Sequence, residues 1–486
     1  MIDSKLPANK TAPAVLPAPN DDTSNAARMF ANAEDLRAAS APEYSDEGIA
    51  LQFTERYRRE WRYVHSWGRW LFWAKNHWCE DKTLRAFDLA RKECRQAADM
   101  AETAGGGTEQ QNARLAAAIA SKPTVAAVEA LARADRAHAA DTDQWDANTW
   151  LLNTPDGAID LRSGKRRDCV PEDYCTKITA VAPGGECPYW YSFLDRITSS
   201  DDSLIIYLQR MVGYALTGDT SEHALFFLYG TGANGKSTFI NTIVAILNSY
   251  ATVAPAEMFA ESHHDRHPTE LAMLRGARLV AAIETEAGRN WAEARIKSLT
   301  GGDPFTARFM RQDFFTIQPQ LKLMIAGNDK PGLRNVNEAI RRRMHLIPFT
   351  VTIPPSERDH ALPEKLRAEW PGILAWAIQG CLDWQKFGLC PPQVVRDATD
   401  QYLADEDVIG IWLSERTKPV LGAVTSVAAL HQDYHRWATK GGERFLGAKR
   451  FGQALESRGM TRERTSKARG FSGIQLIDDL LAEADS

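Results

Sequence analysis

The sequence predicts a multidomain α/β protein. Its 486 residues are more than one hydrophobic core usually holds. Near the middle, strand-like apolar runs alternate with a helical pattern, whereas helical patterns dominate the part before residue 150. Together these observations predict an α/β core between a mainly helical N-terminal domain and a small C-terminal domain.

The composition is that of a globular protein, with 44% hydrophobic and 25% charged residues and a net charge of −5. A nucleic-acid site must therefore be a local basic patch. The longest apolar runs are too short to cross a bilayer, and the N-terminus lacks a signal-peptide pattern, so we expect no membrane contact. Seven cysteines form no CxxC pair, which favours free thiols in a reducing cytoplasm over a zinc site at Cys169, Cys175 and Cys187.

The N-terminal third divides into two parts. Residues 1–50, rich in Ala, Pro, Asn and Ser, predict a flexible leader, and residues 51–200 predict a domain of helices and short strands. Five tryptophans lie within eighteen residues: Trp61, Trp67, Trp70, Trp73 and Trp78. Such rings can stack on bases, but the core of a small domain is the favoured interpretation.

The stretch "LYGTGANGKST" contains the phosphate-binding pattern G-x-x-x-x-G-K-S. An apolar strand, "ALFFLY", precedes it and a helical pattern follows it, as the motif requires. Backbone N–H groups wrap phosphates in such a loop, while the lysine reaches the outer phosphates and the serine holds Mg²⁺. The predicted ATP-binding residues are Gly230, Thr231, Gly232, Ala233, Asn234, Gly235, Lys236, Ser237 and Thr238.

Two more apolar strands end in polar residues. The strand Leu279–Ile283 is followed by Glu284 and Glu286, and a carboxylate at that place can hold Mg²⁺ and polarise the attacking water. Between the two, Glu284 is favoured. The strand 321–327 ends in Asn328, whose amide can contact both the γ-phosphate and that water.

Three consecutive arginines follow, Arg341, Arg342 and Arg343. Such a run is usually a solvated face. In a ring-forming ATPase, however, a cation has to reach the phosphates of a neighbouring subunit. Arg342 and Arg343 are the candidates for this arginine finger, and Arg343 is favoured.

The chain resembles the superfamily 3 helicases of the phage and plasmid primase-helicase family, which are related to the poxvirus primase-helicase. The resemblance rests on "LYGTGANGKST", "GARLVAAIETEAGRNWAEARIKSLTGGDPFTARFMRQDFF", "QLKLMIAGNDKP" and "RRRMHLIPF" and covers roughly residues 110–415. It implies an AAA+-like core over residues 201–355, a helical connector over 356–415, and a hexameric ring that moves along DNA by hydrolysing ATP.

Two features depart from this family. Members often carry a primase domain before this region, but residues 1–110 show neither the paired acidic strand motifs of a primase nor a zinc ribbon. We therefore expect either that a separate polypeptide does the priming or that the longer ancestral protein has been shortened. Arg341 stands where an aromatic residue is expected, which complicates the choice of the finger arginine.

The segment "GGDPFTARFMRQDFFTIQP" predicts a β-hairpin between the second and third core strands. In superfamily 3 rings a hairpin at this place points into the channel and carries a basic residue to DNA. The resemblance therefore implies DNA contacts by Arg308, Phe309 and Arg311, against the alternative of a hairpin with a purely structural role.

Residues 416–486 predict a winged helix, with two helices followed by a hairpin. Between residues 440 and 470 there are nine Lys/Arg against three Glu, which is the charge pattern of a phosphate-binding surface. Winged helices also dock proteins, so both roles stay open. The predicted DNA contacts are Lys449, Arg450, Arg462, Arg464, Lys467 and Arg469.

The sequence thus predicts an ATP- and Mg²⁺-dependent DNA helicase, a homo-hexamer in the cytoplasm of a bacterial host that replicates phage, prophage or plasmid DNA. One alternative is a small-molecule P-loop kinase, which needs neither Asn328 nor the arginine run. Another is an origin-binding or DNA-loading scaffold that ATP only switches. The cluster "HHDRH" (263–267) is interpreted as a polar connector in preference to a metal site.

Overall fold

A computed structural model describes residues 41–104, 106–261, 269–283, 289–308, 314–333, 336–443, 445–464 and 469–477. The chain separates into two compact units. The first comprises the chain up to Phe72 together with Glu80–Asp141, and the second comprises Trp73–Cys79 and the chain from Thr142 onward. The fold is mixed α/β.

The first unit is mainly helical, as predicted. Its elements are α1 (Asp46–Tyr57), β1 (Trp61–Val64), β2 (Arg69–Trp73), β3 (Trp78–Glu80), α2 (Arg85–Ala104), α3 (Glu109–Ile119) and α4 (Lys122–Ala134), with β3 and the end of β2 shared with the second unit. The three strands form one sheet in the order β1-β2-β3. Trp61 and Trp70 are buried with Phe53 in the core of this unit, so the core interpretation of the tryptophans is confirmed for them.

Helix α1 corrects the predicted leader of residues 1–50. The Ser45 hydroxyl accepts a hydrogen bond from Gly48 N–H, which caps α1, and Ile49 is fully buried. Residues 46–50 are therefore part of the folded domain. Residues 1–40 lie outside the part that the structure describes.

The second unit begins with a small antiparallel sheet and ends with a small module. In chain order its elements are β4 (Leu151–Thr154), β5 (Gly157–Asp160), β6 (Lys165–Arg167), α5 (Pro188–Thr198), α6 (Asp202–Leu216), β7 (Leu225–Tyr229), α7 (Lys236–Leu247), β8 (Ala251–Val253), α8 (Thr269–Ala272), β9 (Leu279–Ile283), α9 (Glu293–Gly301), β10 (Phe305–Ala307), β11 (Phe315–Ile317), β12 (Lys322–Gly327), α10 (Glu338–Arg341), β13 (Met344–Pro348), α11 (Leu362–Ala368), α12 (Trp370–Phe387), α13 (Gln393–Asp405), α14 (Val408–Arg416), β14 (Thr417–Ser426), α15 (Val427–Gly441), α16 (Ala448–Ser457), β15 (Arg462–Arg464) and β16 (Arg469–Leu476).

A five-stranded parallel sheet organises this unit, with the order β13-β7-β12-β9-β8. Successive residues of β7 point to opposite faces: Phe226 and Leu228 pack into one core, and Leu225 and Phe227 into the other. Helices cover both faces, which explains why the strands read as continuous apolar runs.

The two compact units divide at residues 141/142, inside the predicted domain 51–200. Helix α5 belongs to the second unit because Trp190 stacks on Phe239 of α7, with 5.5 Å between ring centroids, and contacts Trp376 of α12. Leu152 of β4 lies in the same core. No local sequence pattern near Leu152 or Trp190 indicates these contacts, because their partners are distant in the sequence.

The predicted connector 356–415 also packs on the α/β core. Helices α6 and α12 approach closely, since a Cβ at Gly213 would collide with the backbone of Gly380 and Cys381. Helix α13 lies along β13, where the Thr399 hydroxyl accepts a hydrogen bond from Leu346 N–H at 3.0 Å. These helices thus extend the core.

The C-terminal module contains the two predicted helices and the predicted hairpin. Its sheet has the order β14-β16-β15, with antiparallel pairs. Trp412 of α14, Tyr434 of α15 and Phe451 of α16 are buried against one another. Helix α14 therefore belongs to the packing of this module.

Candidate functional site

The loop 230–235 joins β7 to α7, and its glycines are required by close contacts. Gly230 has φ +155°, and a Cβ there would collide with the Phe349 carbonyl oxygen. Gly235 has φ +85°, and a Cβ there would lie 2.5 Å from Ile197 Cγ2. Larger residues at either position would displace the loop from β13 or α5.

Lys236 begins α7, and its side chain turns back across the loop. Its Nζ donates to Gly230 O at 2.6 Å, to Asn234 Oδ1 at 3.1 Å and to Asn328 Oδ1 at 3.2 Å. The side chain is buried, and burial lowers the pKa of its ammonium group. Among the described residues no carboxylate pairs with this cation, so an anionic ligand would compensate its charge.

The remaining loop residues divide into two groups. Asn234 is buried and donates to Phe349 O at 2.8 Å, so it holds the loop in place. Thr231, Gly232, Ala233 and Ser237 are exposed, and Thr238 is half-buried. Because Lys236 is the first residue of α7 and its Nζ bonds Gly230 O, the exposed loop residues, the N-terminus of α7 and the ammonium group lie close together.

Asn328 reaches Lys236 because of the strand order. Strands β12 and β7 are parallel neighbours with Gly327 opposite Tyr229, so the residues after both strands lie at the same edge. Asn328 is exposed at that edge. The structure thus brings together two predicted site residues from distant parts of the sequence.

The acidic candidates Glu284 and Glu286 lie outside the described residues. The strand before them, β9, has the predicted bounds and pairs with β12, with Ile283 opposite Ala326. Their role stays a prediction.

The arginine run is divided between the surface and the interior. Arg341 is exposed and pairs with Asp400 at 3.4 Å, and Arg342 is exposed. Arg343 is buried, and it donates to Thr300 Oγ1 at 3.2 Å and to Ala339 O at 2.7 Å. Burial, and secondly the neighbouring Arg342, lower the pKa of Arg343. This placement argues against the favoured choice of Arg343 for contact with another subunit, and leaves Arg342.

The predicted hairpin between the second and third core strands is present as β10 and β11. The strands are antiparallel, with Phe305 opposite Ile317. Its turn, including Phe309 and Arg311, lies outside the described residues. Arg308 is half-buried, and its guanidinium lies 4.9 Å from the ring centre of the exposed Phe314.

The basic residues of the C-terminal module differ in their surroundings. Lys449 and Arg450 are exposed on the first turn of α16, and Arg464 and Arg469 are exposed opposite each other on β15 and β16. Arg462 pairs with Glu456 at 2.7 Å and its guanidinium lies over the Phe471 ring, so part of its role is internal. Lys467 lies outside the described residues.

Sequence reasoning missed two residues near the site, Tyr402 and Glu406 at the end of α13. The Tyr402 hydroxyl donates to Pro331 O, and Glu406 Oε2 accepts from Leu333 N–H at 2.7 Å. Both therefore bind the loop that follows Asn328. No local pattern marks them, because their partners are about seventy positions away in the sequence.

Within the described residues, no group of three His, Cys, Asp or Glu side chains is placed to hold a metal ion. All seven cysteines are free thiols. The "HHDRH" cluster lies outside the described residues.

No single helix in the described part of the chain is long and apolar enough to cross a membrane; α3 and α4 reach that length only together, with a bend of 56° between them.

Two domain families match the sequence. The family described as "D5 N terminal like" matches residues 50–199, and the "Family of unknown function (DUF5906)" matches residues 228–343. The second match spans the loop 230–235, Asn328 and the arginine run.

Two viral proteins are similar to the chain in sequence, and one solved structure can be superimposed on part of it. "Putative helicase L207/L206" of Acanthamoeba polyphaga mimivirus is 26% identical over 60% of this chain and 33% of its own length. "Putative helicase 022R" of Frog virus 3 is 24% identical over 44% of this chain and 24% of its own length. Among solved structures, the C-terminal region of NrS-1 matches 87% of this chain and 97% of its own, at 9% identity and a TM-score of 0.46.

The chain spans about a third or less of the length of these two viral relatives. Both of its matched domains occur in primase-helicases. The chain thus carries two segments that match domains of the primase-helicase family, at residues 50–199 and 228–343.

Proposed function

We propose that the chain is an ATP-dependent DNA helicase that acts as a ring, a hexamer by the resemblance, in the replication of viral, phage, prophage or plasmid DNA. The observation that carries the proposal is the bond between Lys236 Nζ and Asn328 Oδ1 at the start of α7. A small-molecule kinase does not need this third-strand amide. A separate primase and a bacterial host cytoplasm stay predictions; the two viral relatives come from mimivirus and Frog virus 3.

The loop suits the phosphates of ATP. Lys236 is a buried cation, and among the described residues its Nζ donates hydrogen bonds only to uncharged oxygens. When ATP binds, phosphate oxygens would replace some of these acceptors. Thr231, Gly232 and Ala233 are exposed and would offer backbone N–H donors, and the twelve-residue helix α7 would add its positive N-terminal end.

Mg²⁺ would be held by Ser237 at the exposed start of α7 together with Glu284, and when bound it supplies charge neutralisation of the β- and γ-phosphates. Glu284 would orient the attacking water, and Asn328 would contact both the water and the γ-phosphate. Lys236 would then stabilise the negative charge that develops on the leaving phosphate oxygen.

Hydrolysis at subunit interfaces requires a cation that leaves its own subunit. Arg342 meets this requirement because it is exposed just before β13, one residue from the buried Arg343. In this proposal Arg343 fixes the backbone through Thr300 and Ala339, while Arg342 reaches the γ-phosphate of the neighbouring subunit.

DNA would be contacted at two places. The hairpin β10–β11 would present Arg308, Phe309 and Arg311 to a strand in the ring channel. The C-terminal module would act as a winged helix, which its two helices α15 and α16 and its sheet order β14-β16-β15 support. The exposed Lys449 and Arg450 at the start of α16 would then contact duplex phosphates.

Strand displacement on forked DNA tests the proposal. We expect the wild-type chain to unwind a fork only with hydrolysable ATP, whereas Lys236→Ala should neither hydrolyse ATP nor unwind. Glu284→Gln should bind ATP without turning it over, with Glu286→Gln as the matched control.

Each outcome separates the alternatives. ATP hydrolysis and DNA binding without unwinding would favour the ATP-switched scaffold. Phosphorylation of a small molecule without any DNA effect would favour the kinase. Normal turnover by Glu284→Gln with loss in Glu286→Gln would exchange the roles of the two carboxylates.

A further inference from the structure

We propose that Tyr402 and Glu406 are positioning residues that couple the nucleotide site to the C-terminal module. The inference rests on the proposed function, since it links ATP binding at Lys236 to DNA binding by α16. The link consists of the loop 328–333, the end of α13, and an ion pair between α14 and α16.

The first step of the link joins the nucleotide site to α13. Asn328 contacts Lys236 at the start of the loop 328–333. At the other end, the Tyr402 hydroxyl donates to Pro331 O, and Leu333 N–H donates to Glu406 Oε2 at 2.7 Å. Both side chains thus bind backbone atoms of the loop that carries the γ-phosphate contact.

The loop is also fixed from the side of α9. Trp291 Nε1 donates to the Tyr402 hydroxyl at 3.1 Å, and Trp291 N–H donates to Gly332 O at 2.9 Å. Gly332 is needed for this arrangement, because a Cβ there would lie 2.7 Å from Asn290 Oδ1 and 3.3 Å from Glu406 Oε2. A shift of the loop must therefore move Tyr402 and Glu406 or break their hydrogen bonds.

The second step joins α13 to the C-terminal module through adjacent residues. Asp407 directly follows Glu406 and caps α14 by accepting from Gly410 N–H at 3.0 Å. The same carboxylate oxygen pairs with Arg458, which ends α16. Lys449 and Arg450 lie at the opposite end of α16, which is two to three turns long.

These contacts form one continuous connection between two binding surfaces. Phosphate bound at Lys236 would shift Asn328 and the loop 328–333 with it. A shift of this loop would move Glu406, which binds the loop, and the adjacent Asp407, which holds α16 through Arg458. Reciprocity requires that DNA bound to α16 changes the affinity for nucleotide by the same factor.

The test measures this coupling in the full chain. Duplex DNA affinity is determined by fluorescence anisotropy with and without a non-hydrolysable ATP analogue, and analogue affinity is determined without DNA. For the wild type we expect the two DNA dissociation constants to differ by about 5- to 150-fold. Glu406→Ala and Asp407→Asn should bring this ratio towards 1 while each ligand alone still binds within about threefold.

Conservative and neighbouring variants control for a structural role. Glu406→Gln keeps an oxygen that accepts from Leu333 N–H, so we expect it to retain the ratio that Glu406→Ala loses. Asp405→Ala changes an exposed carboxylate one position away that bonds only Gln401 among the described residues, and it should leave the ratio unchanged.

The outcomes are distinguishable. A wild type that fails to bind nucleotide or DNA would overturn the proposed function and the inference with it. If both ligands bind but the wild-type ratio is 1, or Glu406→Ala and Asp407→Asn keep the wild-type ratio, the inference alone is overturned.

Discussion

Lys236 and Asn328, 92 positions apart in the sequence, are joined by a hydrogen bond of 3.2 Å between Nζ and Oδ1. Their distance depends on the register of β7 and β12, with Tyr229 opposite Gly327, because Asn328 directly follows β12 and Lys236 follows the loop that leaves β7. The geometry of the proposed ATP site therefore depends on correct pairing of the central strands as much as on the loop sequence.

The first prediction concerns Asn328. Asn328→Ala should reduce ATP turnover by about 10²- to 10³-fold while nucleotide affinity changes little, because the amide is proposed to act on the water and γ-phosphate. Asn328→Asp should instead weaken ATP binding, since its carboxylate would pair with Lys236. Turnover and nucleotide affinity check both variants; near-normal turnover of Asn328→Ala would remove the residue from the mechanism.

The next prediction is that changes at two adjacent arginines affect different properties: one the stability of the protein, the other its ATPase activity. Arg343→Ala should lower the melting temperature, because it removes a buried side chain bound to Thr300 and Ala339. Arg342→Ala should leave stability unchanged and reduce ATPase by about 10³- to 10⁵-fold.

Subunit mixing checks the Arg342 assignment. Arg342→Ala and Lys236→Ala proteins should each be inactive, but a mixed ring can place an intact Lys236 beside an intact Arg342 and recover part of the ATPase. Rings shown to exchange subunits without any recovery would contradict a site shared between subunits.

The hairpin prediction uses Arg311. Arg311→Ala should keep basal ATPase but lose DNA stimulation and unwinding, because the residue is proposed to contact DNA and not nucleotide. Thr306→Ala, at an exposed position of β10, is the control and should unwind normally. Unchanged unwinding by Arg311→Ala would indicate a purely structural hairpin.

The salt dependence of duplex binding tests the C-terminal module. Each lost phosphate contact removes about 0.9 from the slope of log K against log salt, so the double change Lys449→Ala and Arg450→Ala should reduce the slope by about 1.8. Lys418→Ala, which removes one positive charge at an exposed position of β14, should leave the slope unchanged. A slope that the double variant does not alter would favour protein docking by this module.

A pH-dependent prediction follows from His345 on β13. Its Nδ1 is hydrogen-bonded to the Tyr207 hydroxyl at 2.9 Å, and burial lowers the pKa of its ring from 6.5 to about 4. Between pH 6.5 and 4 the unfolded chain therefore binds a proton that the folded chain does not, so the free energy of unfolding falls as pH falls.

Denaturant unfolding at pH 7 and pH 5 measures this effect. The free energy of unfolding of His345→Gln should fall less between pH 7 and pH 5 than that of the wild type, because a glutamine side chain does not bind a proton in this range. An equal loss in both proteins would mean that His345 does not contribute to the pH dependence.

Local features of the core could be predicted from the sequence. The spacing of Gly230, Gly235 and Lys236 defines the loop by itself, and the apolar runs give the central strands to within one residue, for example 321–327 against the observed Lys322–Gly327. These features depend on neighbouring residues only, which is why sequence reasoning reaches them.

Features that depend on distant partners could not be predicted. The run of three arginines gives no sign that Arg343 turns inward to Thr300, and no local pattern shows that Trp190 of α5 stacks on Phe239. Lys322, a fully buried lysine in β12, is a further example: its Nζ donates to the Thr217, Asp219 and Gln320 carbonyl oxygens, which a strand pattern cannot indicate.

The strand order of the parallel sheet has a consequence for biosynthesis. Strand β7 pairs with β12 on one side and β13 on the other, and both are translated long after it. At typical rates of protein synthesis, roughly 5 to 20 s pass between translation of the apolar run Leu225–Tyr229 and completion of β12. During this interval both edges of β7 lack their native partners, so we expect the nascent chain to be prone to aggregation at this segment until β12 and β13 have been made.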